Sequence, residues 1–172
     1  MRKTLILGAA AIALAAGGCA KRQPPPAEVP PAEQVGPGGE AVAPGDVELT
    51  ELPAQQADLV AKAGSDTVYF GTDEYLLDDS AKATLAAQAR WLMANANVRA
   101  SIEGHCDERG TREYNMALGE RRANAARDFL VSQGVPTTRL LVTSWGKERP
   151  VATGSSEEAW AQNRRAVTVL VR

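Results

Sequence analysis

Residues 98–134 read VRASIEGHCDERGTREYNMALGERRANAARDFLVSQG. In segment 98–103, apolar residues alternate with polar ones, which predicts a half-buried β-strand. Thr111 is a favoured helix N-cap, and the apolar periodicity after it predicts a helix to about Gln133, where Gly134 is a stop signal. The stretch therefore predicts a strand, a turn over residues 104–110 and a long helix.

The rest of the chain from residue 64 continues this alternation of strands and helices. Sequence patterns predict strands at 66–70, 140–145 and 166–171, a helix at 78–96 and a helical turn at 157–162. The order β-α-β-α-β-β is typical of an α/β fold, an α+β two-layer sandwich with helices packed on one face of a mixed four-stranded sheet. Residues 64–172 form the predicted domain, which is long enough to bury a core without disulfides.

Composition excludes several classes of function. The chain has 172 residues, a formal net charge of −2, two cysteines and one histidine. A nucleic-acid-binding protein normally has an excess of basic residues, which is missing here. Two cysteines and one histidine supply neither a tetrahedral zinc site nor a disulfide framework. We therefore expect no metal, no cofactor and no nucleic-acid partner.

Residues 1–18 predict an export signal. Arg2 and Lys3 precede an apolar run over residues 4–16, which is shorter than the roughly 20 residues that span a bilayer. The small residues before Cys19 resemble the lipobox of bacterial lipoproteins, and this resemblance implies three acyl chains on Cys19. Ala20 resembles the sorting signal for the outer membrane. The alternative is an ordinary secretory peptide with an unmodified Cys19.

Residues 19–63 predict the lipidated cysteine followed by a tether. Between residues 23 and 53 lie eight of the ten prolines and no Lys or Arg. Such a segment cannot bury enough apolar surface to offset its ordering entropy. We expect a disordered, acidic, Pro-rich spacer between the membrane and the domain.

Two polar residues interrupt the apolar stripe of the predicted 111–133 helix. On a helical wheel, Asn115 and Arg122 fall beside Leu118 within that stripe. A guanidinium held against a core needs a fixed anion, and Asp107 in the preceding turn is the candidate. Turns at the carboxyl ends of strands commonly carry ligand sites. A closed Asp107–Arg122 ion pair and an open ligand site both fit the pattern.

Four segments together resemble one known family. They are 102–115 (IEGHCDERGTREYN), 118–123 (LGERRA), 144–150 (SWGKERP) and 163–167 (NRRAV), and they resemble OmpA-like peptidoglycan-binding domains. The resemblance implies that Asp107 and Arg122 hold the diaminopimelate residue of the peptidoglycan stem peptide. Asp107 would accept from its ammonium, and Arg122 would bind its carboxylate with a planar fork.

The resemblance also implies supporting residues. Asn115 and Leu118 would shape the pocket, with Asn115 fixing the backbone of the turn. Thr72 and Asp73 would make further contacts with the peptide. Cys106 stands where relatives usually carry Thr or Ala, so a hydroxyl contact made there by relatives would be lost.

With its anchor and tether, the chain resembles the lipoproteins of the Tol system. This resemblance implies an outer-membrane protein facing the periplasm, which binds the cell wall and also binds TolB and other Tol components. It implies no enzymatic activity. Two alternatives remain: an OmpA-like lipoprotein without a Tol partner, and a lipoprotein enzyme acting on peptidoglycan. A His105–Cys106 nucleophile is not expected, because consecutive side chains in extended chain point to opposite sides.

Overall fold

The computed structural model describes Thr50–Arg172. The predicted signal peptide, the predicted lipidation of Cys19 and most of the predicted tether lie outside the described residues. Within the described part of the chain, no helix has the length and apolar content needed to cross a membrane.

The predicted fold class is confirmed. The elements follow in the order α1 (Pro53–Ala63), β1 (Thr67–Tyr69), α2 (Asp79–Ala94), β2 (Arg99–His105), α3 (Arg112–Ser132), a 3₁₀ turn (Thr137–Arg139), β3 (Leu140–Gly146), α4 (Glu157–Asn163) and β4 (Arg165–Val171). The four strands form one sheet in the order β1-β4-β2-β3, with β2 and β3 parallel and the other neighbours antiparallel.

Side-chain caps begin three of the helices, α2, α3 and α4, and the cap of α4 is Ser156. The side chain of Asp78 accepts from the amide of Ala81 at the start of α2. Thr111 accepts from the amide of Tyr114 at the start of α3, as the sequence predicts. These bonds satisfy amides that have no partner within the helix.

The folded part begins earlier than predicted. The boundary at residue 64 is wrong, because α1 is helical and belongs to the core: Leu59 is fully buried and Leu52 nearly so. Glu51 forms a β-bridge with Val171, and Gln56 bonds to the backbone of β4. The sequence analysis assigned this helix to the tether for two reasons. It follows a Pro-rich segment that ends at Pro53, and it has almost no apolar stripe, because only Leu59 of its eleven residues is buried.

The core lies between helices α1, α2 and α3 and one face of the sheet. Its fully buried side chains include Leu85, Leu92, Ile102, Leu130 and Leu170. Helix α3 crosses β2 at two glycines: a Cβ on Gly104 would lie 1.8 Å from the carbonyl oxygen of Gly119. This close approach places the amino-terminal half of α3 directly behind the end of β2.

Candidate ligand-binding cleft

A cleft of about 390 Å³ opens where β2 ends and α3 begins. It is lined by Thr72, Asp73, Cys106, Asp107, Arg109, Gly110, Tyr114, Asn115, Leu118 and Arg122. All seven residues that the sequence analysis assigned to the pocket are in this set. The structure therefore brings them together, and their contact with a ligand stays a prediction.

The turn at the rim of the cleft is fixed by three hydrogen bonds from or to the side chains of Asp107 and Asn115. The carboxylate of Asp107 accepts from the amide of Arg109, two residues on, at 3.1 Å. Asn115 donates from Nδ2 to the carbonyls of Arg109 and Thr111, at 2.6 and 3.0 Å. Asn115 thus holds the turn backbone as predicted, and this bonding explains a buried amide in the apolar stripe of α3.

Asp107 is a nearly buried carboxylate held by two arginines. Oδ1 accepts from Nε of Arg109 at 3.1 Å, and Oδ2 accepts from Nη2 of Arg109 at 2.7 Å. Nη1 of Arg164 lies 3.5 Å from Oδ2. Burial alone would raise the pKa of Asp107, but the hydrogen bonds from Arg109 and Arg164 outweigh it and lower the pKa. The carboxylate is therefore ionised at neutral pH.

Arg122 lies at the base of the cleft and is fully buried. It donates to three main-chain carbonyls: Nε to Glu74 at 2.8 Å, Nη1 to His105 at 2.9 Å and Nη2 to Gly71 at 3.0 Å. The direct Asp107–Arg122 ion pair considered from the sequence is therefore not formed, because carbonyl groups and not Asp107 bind the guanidinium. Arg122 ties α3 to β2 and to the loop after β1.

Cys106 and His105 do not form a nucleophile. Sγ of Cys106 donates to the carbonyl of Asn115 at 3.4 Å. Burial raises the pKa of the Cys106 thiol, so the thiol stays protonated at neutral pH and lacks nucleophilic character. Burial, together with the charges of Arg165 and Arg149, lowers the pKa of His105 to about 4.

Thr72 and Asp73 form the opposite rim of the cleft. Asp73 has a φ of 58°, in the left-handed region that Asp tolerates better than most residues. Its carboxylate accepts a hydrogen bond from the hydroxyl of Tyr114 on α3. This bond closes the loop after β1 onto the helix and defines one wall of the cleft.

Sequence reasoning missed three lining residues: Arg109, Gly110 and Tyr114. Arg109 is the most important of them, because its guanidinium binds Asp107 and stacks on the ring of Trp160, 4.1 Å from the centroid. The signal was present in the sequence. An Asp in a turn commonly bonds to the backbone two residues on, which places residue 109 beside Asp107.

The cleft is suited to binding charged groups by hydrogen bonds and ion pairs. Across residues 50–172, no group of three or more His, Cys, Asp or Glu side chains is arranged to hold a metal ion. The charged side chains of the cleft are the carboxylates of Asp73 and Asp107 and the guanidinium groups of Arg109 and Arg122, which is the more deeply buried of the two arginines. Such a set matches a ligand that carries both a positive and a negative charge.

Fold and cleft together define a small α/β binding domain, and comparison with known proteins identifies its family. The sequence profile of the OmpA family matches residues 69–164. The chain belongs to the OmpA family, and within it to the group named peptidoglycan-associated lipoprotein.

Relatives with that name cover most of the chain. The one from Agrobacterium fabrum is 46% identical over 159 residues, which is 92% of this chain and 83% of the relative. The one from Brucella melitensis is 52% identical over 118 residues, 69% of this chain and 70% of the relative.

Solved structures of other proteins are similar to this fold as well. The crystal structure of the peptidoglycan-associated lipoprotein from Burkholderia pseudomallei is 44% identical and superposes with a TM-score of 0.61, covering 62% of this chain and 91% of that one. The periplasmic domain of Helicobacter pylori MotB, 18% identical with a TM-score of 0.54 over 60% of this chain and 69% of that one, shows the fold alone.

Proposed function

We propose that this chain is a lipid-anchored outer-membrane protein whose domain binds the diaminopimelate stem peptide of peptidoglycan in the cleft. It holds the outer membrane to the cell wall by a non-covalent contact. The observation that carries this proposal is the convergence of the seven predicted pocket residues on one cleft. The name shared by the relatives of this chain supports the same ligand.

The charges of the cleft match the end of the diaminopimelate side chain. That side chain carries an ammonium and a carboxylate on the same carbon. Asp107 is ionised and accepts from the ammonium, and such charge-assisted bonds are about twice as strong as neutral ones. Arg122 adds a buried positive charge at the base of the cleft.

The anchor is Cys19. Three acyl chains on this cysteine hold the protein firmly in the outer membrane, since burial of each CH₂ contributes about 0.8 kcal/mol. Intact-mass measurement of the protein purified from membranes should show a tri-acyl adduct at Cys19. A free thiol there would remove the anchor.

The partner in the envelope is TolB, with the other components of the Tol–Pal system. In this role the protein supports envelope integrity and the inward movement of the outer membrane during cell division. TolB covers a surface that overlaps the cleft, so TolB and the stem peptide compete. Co-purification with TolB, reversed by a diaminopimelate muropeptide, is the expected result. Failure to form any complex would favour an OmpA-like lipoprotein without a Tol partner.

The proposed activity is binding without catalysis. The thiol of Cys106 is protonated and bonded to a carbonyl, and Asp107 is ionised and engaged by arginines. A turnover assay on purified sacculi should release no soluble fragments. Release that disappears in Asp107→Ala would instead favour the enzyme alternative.

Co-sedimentation with purified sacculi tests wall binding directly. The full-length lipoprotein in detergent should sediment with sacculi, and Asp107→Ala should lose about 2–5 kcal/mol of binding free energy, the scale for removing one partner of a buried charge pair. Asp79→Ala is the matched control, because the Asp79 side chain is fully exposed and lies outside the cleft. Equal sedimentation of both variants and the unmodified protein would contradict the proposal.

A further inference from the structure

All the acceptor positions of the Asp107 carboxylate are already occupied by protein donors. A carboxylate offers about four such positions. Oδ1 accepts from the backbone amide and Nε of Arg109, and Oδ2 accepts from Nη2 of Arg109 and Nη1 of Arg164. A ligand ammonium therefore reaches Asp107 only if one of these donors leaves.

Arg109 is the donor that can leave. Arg164 is buried, and its other groups are bonded to the carbonyl of Phe70 at 3.1 Å and to Glu157 at 2.7 Å. The Arg109 side chain, in contrast, is 39% exposed and lines the cleft. When it leaves, Arg164 still faces the Asp107 carboxylate and keeps that charge compensated.

Arg109 is also the guanidinium best placed to receive a carboxylate. It already binds one in bidentate geometry, through Nε and Nη2. Its stacking on the Trp160 ring keeps the plane of the fork oriented beside the cleft. Arg122, by contrast, is fully buried, and three of its N–H groups donate hydrogen bonds to main-chain carbonyls.

We propose that Arg109 is a ligand-binding residue that works by exchange of ion pairs. In the empty cleft, Arg109 and Asp107 bind each other. When a zwitterionic side chain enters, its ammonium replaces Arg109 at Asp107, and its carboxylate takes the Arg109 fork, next to the charge of Arg122. This inference rests on the proposed function, since it names how the same cleft selects its ligand.

Pair exchange gives the cleft its specificity. A diaminopimelate side chain separates Asp107 from Arg109 but gives each a new partner, an ammonium for Asp107 and a carboxylate for Arg109. A lysine side chain at the same position of the stem peptide carries only the ammonium, so it would leave the Arg109 fork without an anion. A guanidinium that has lost Asp107 and gained no other anion lowers the binding free energy of the lysine ligand by the full value of the lost hydrogen bonds.

Two muropeptides and four proteins test the inference: the unmodified protein, two Arg109 variants and one control variant. The full-length lipoprotein in detergent is titrated calorimetrically with a diaminopimelate-type and a lysine-type muropeptide. The unmodified protein should prefer the first by about tenfold or more, corresponding to one lost charge-assisted pair. Arg109→Gln should abolish this preference, by weakening binding of the diaminopimelate form and leaving the lysine form unchanged or tighter. Arg109→Lys, which keeps the charge without the fork, should restore the preference in part.

Arg112→Gln is the matched control. Arg112 is exposed, pairs with Glu148 at 3.3 Å and lies outside the cleft, so its preference should match that of the unmodified protein. If Arg109→Gln keeps the full preference, or weakens both ligands equally, Arg109 only shapes the turn and the inference is overturned. If the unmodified protein binds neither muropeptide, the proposed function itself fails.

Discussion

At the scale of single residues, Arg122 serves the fold as well as the cleft. Its planar guanidinium donates hydrogen bonds to the carbonyls of Gly71, Glu74 and His105. Gly71 and Glu74 lie in the loop after β1, and His105 is at the end of β2. A lysine has one nitrogen on a flexible stem and cannot reach three carbonyls arranged for a fork. Arginine at this position is thus a structural requirement that the helical wheel alone could not distinguish from ligand binding.

Arg122→Lys should lower the free energy of unfolding by about 2–4 kcal/mol, because buried carbonyls lose their donors. Arg121→Lys, one position along the same helix and exposed, should change the free energy of unfolding by less than about 0.5 kcal/mol. Urea denaturation of the two variants and the unmodified protein measures both. Equal stability of the two variants would show that the three carbonyl bonds contribute nothing.

His105 gives the fold a dependence on pH with a definite sign. Its pKa falls from 6.5 to about 4 in the folded protein, because of burial first and of the charges of Arg165 and Arg149 second. Between these values the unfolded chain binds a proton that the folded protein does not. Stability contributed by neutral His105 is therefore complete above pH 6.5 and is lost as the pH falls toward 4.

The chain has a single histidine, so one substitution isolates its effect. Between pH 7 and pH 4, the unmodified protein should lose about 2–3 kcal/mol more stability than His105→Gln, which corresponds to roughly two pKa units. Glu103, whose pKa is raised by burial, has Oε2 only 3.9 Å from Nε2 of His105, so the comparison is repeated in a Glu103→Gln background to separate the two groups. Parallel urea midpoints across this pH range would contradict the assigned environment of His105.

At the scale of elements, the cleft depends on how closely α3 approaches the sheet. Gly104 of β2 and Gly119 of α3 are in backbone contact. A Cβ on Gly119 would lie 2.4 Å from Oγ of Ser144 and 2.9 Å from the carbonyl oxygen of Gly104. This contact sets the depth at which Leu118 and Arg122 meet the end of β2.

Gly119→Ala should destabilise the domain by about 1–3 kcal/mol, the cost of inserting a methyl group into a packed contact. Helix propensity alone would favour alanine by about 1 kcal/mol, so the sign of the change decides between the two effects. Glu120→Ala, on the exposed side of the same turn, is the control and should change stability little. A gain in thermal stability for Gly119→Ala would contradict the close approach of the helix.

Periodicity and capping predicted most elements, and the reason for each failure is physical. The strand prediction for β2, the Thr111 cap and the apolar stripe of α3 rest on local signals, and the structure confirms them. The half-burial predicted for β2 is wrong, because the polar-face residue Ser101 is buried as well. Helix α1 was missed because it buries only Leu59 and follows a Pro-rich segment. The carbonyl partners of Arg122 were missed because Gly71 and Glu74 are distant in sequence, and no residue pattern encodes a backbone acceptor.

At the scale of the whole molecule, the first described residues lie beside one end of β2, and the cleft lies at the other end of that strand. Glu51 bridges to Val171, which pairs with Arg99, the first residue of β2. Asp107 lies two residues after His105, the last residue of β2. Seven residues at about 3.3 Å each separate the two ends by roughly 20 Å. A membrane anchor before residue 50 would thus connect to the domain away from the cleft.

Because the predicted tether joins the domain away from the cleft, the length of the tether should not affect the affinity of the cleft for a muropeptide. Deletion of residues 24–43 would shorten an extended tether by roughly 60 Å. In cells, crosslinking of the protein to sacculi should fall, because fewer cleft positions reach the wall. Binding of a soluble muropeptide by the purified protein should be unchanged, and a change in that affinity would contradict the separation of tether and cleft.

Calorimetric titration of the full-length lipoprotein with a diaminopimelate-containing muropeptide tests ligand binding in the cleft most directly. We expect saturable binding, weakened about 30-fold or more in Asp107→Asn, since that variant keeps the shape of the side chain and loses its charge. Asp79→Asn should bind like the unmodified protein. Absence of binding heat in the unmodified protein, or equal affinity in Asp107→Asn, would contradict a charged peptide site at the end of β2.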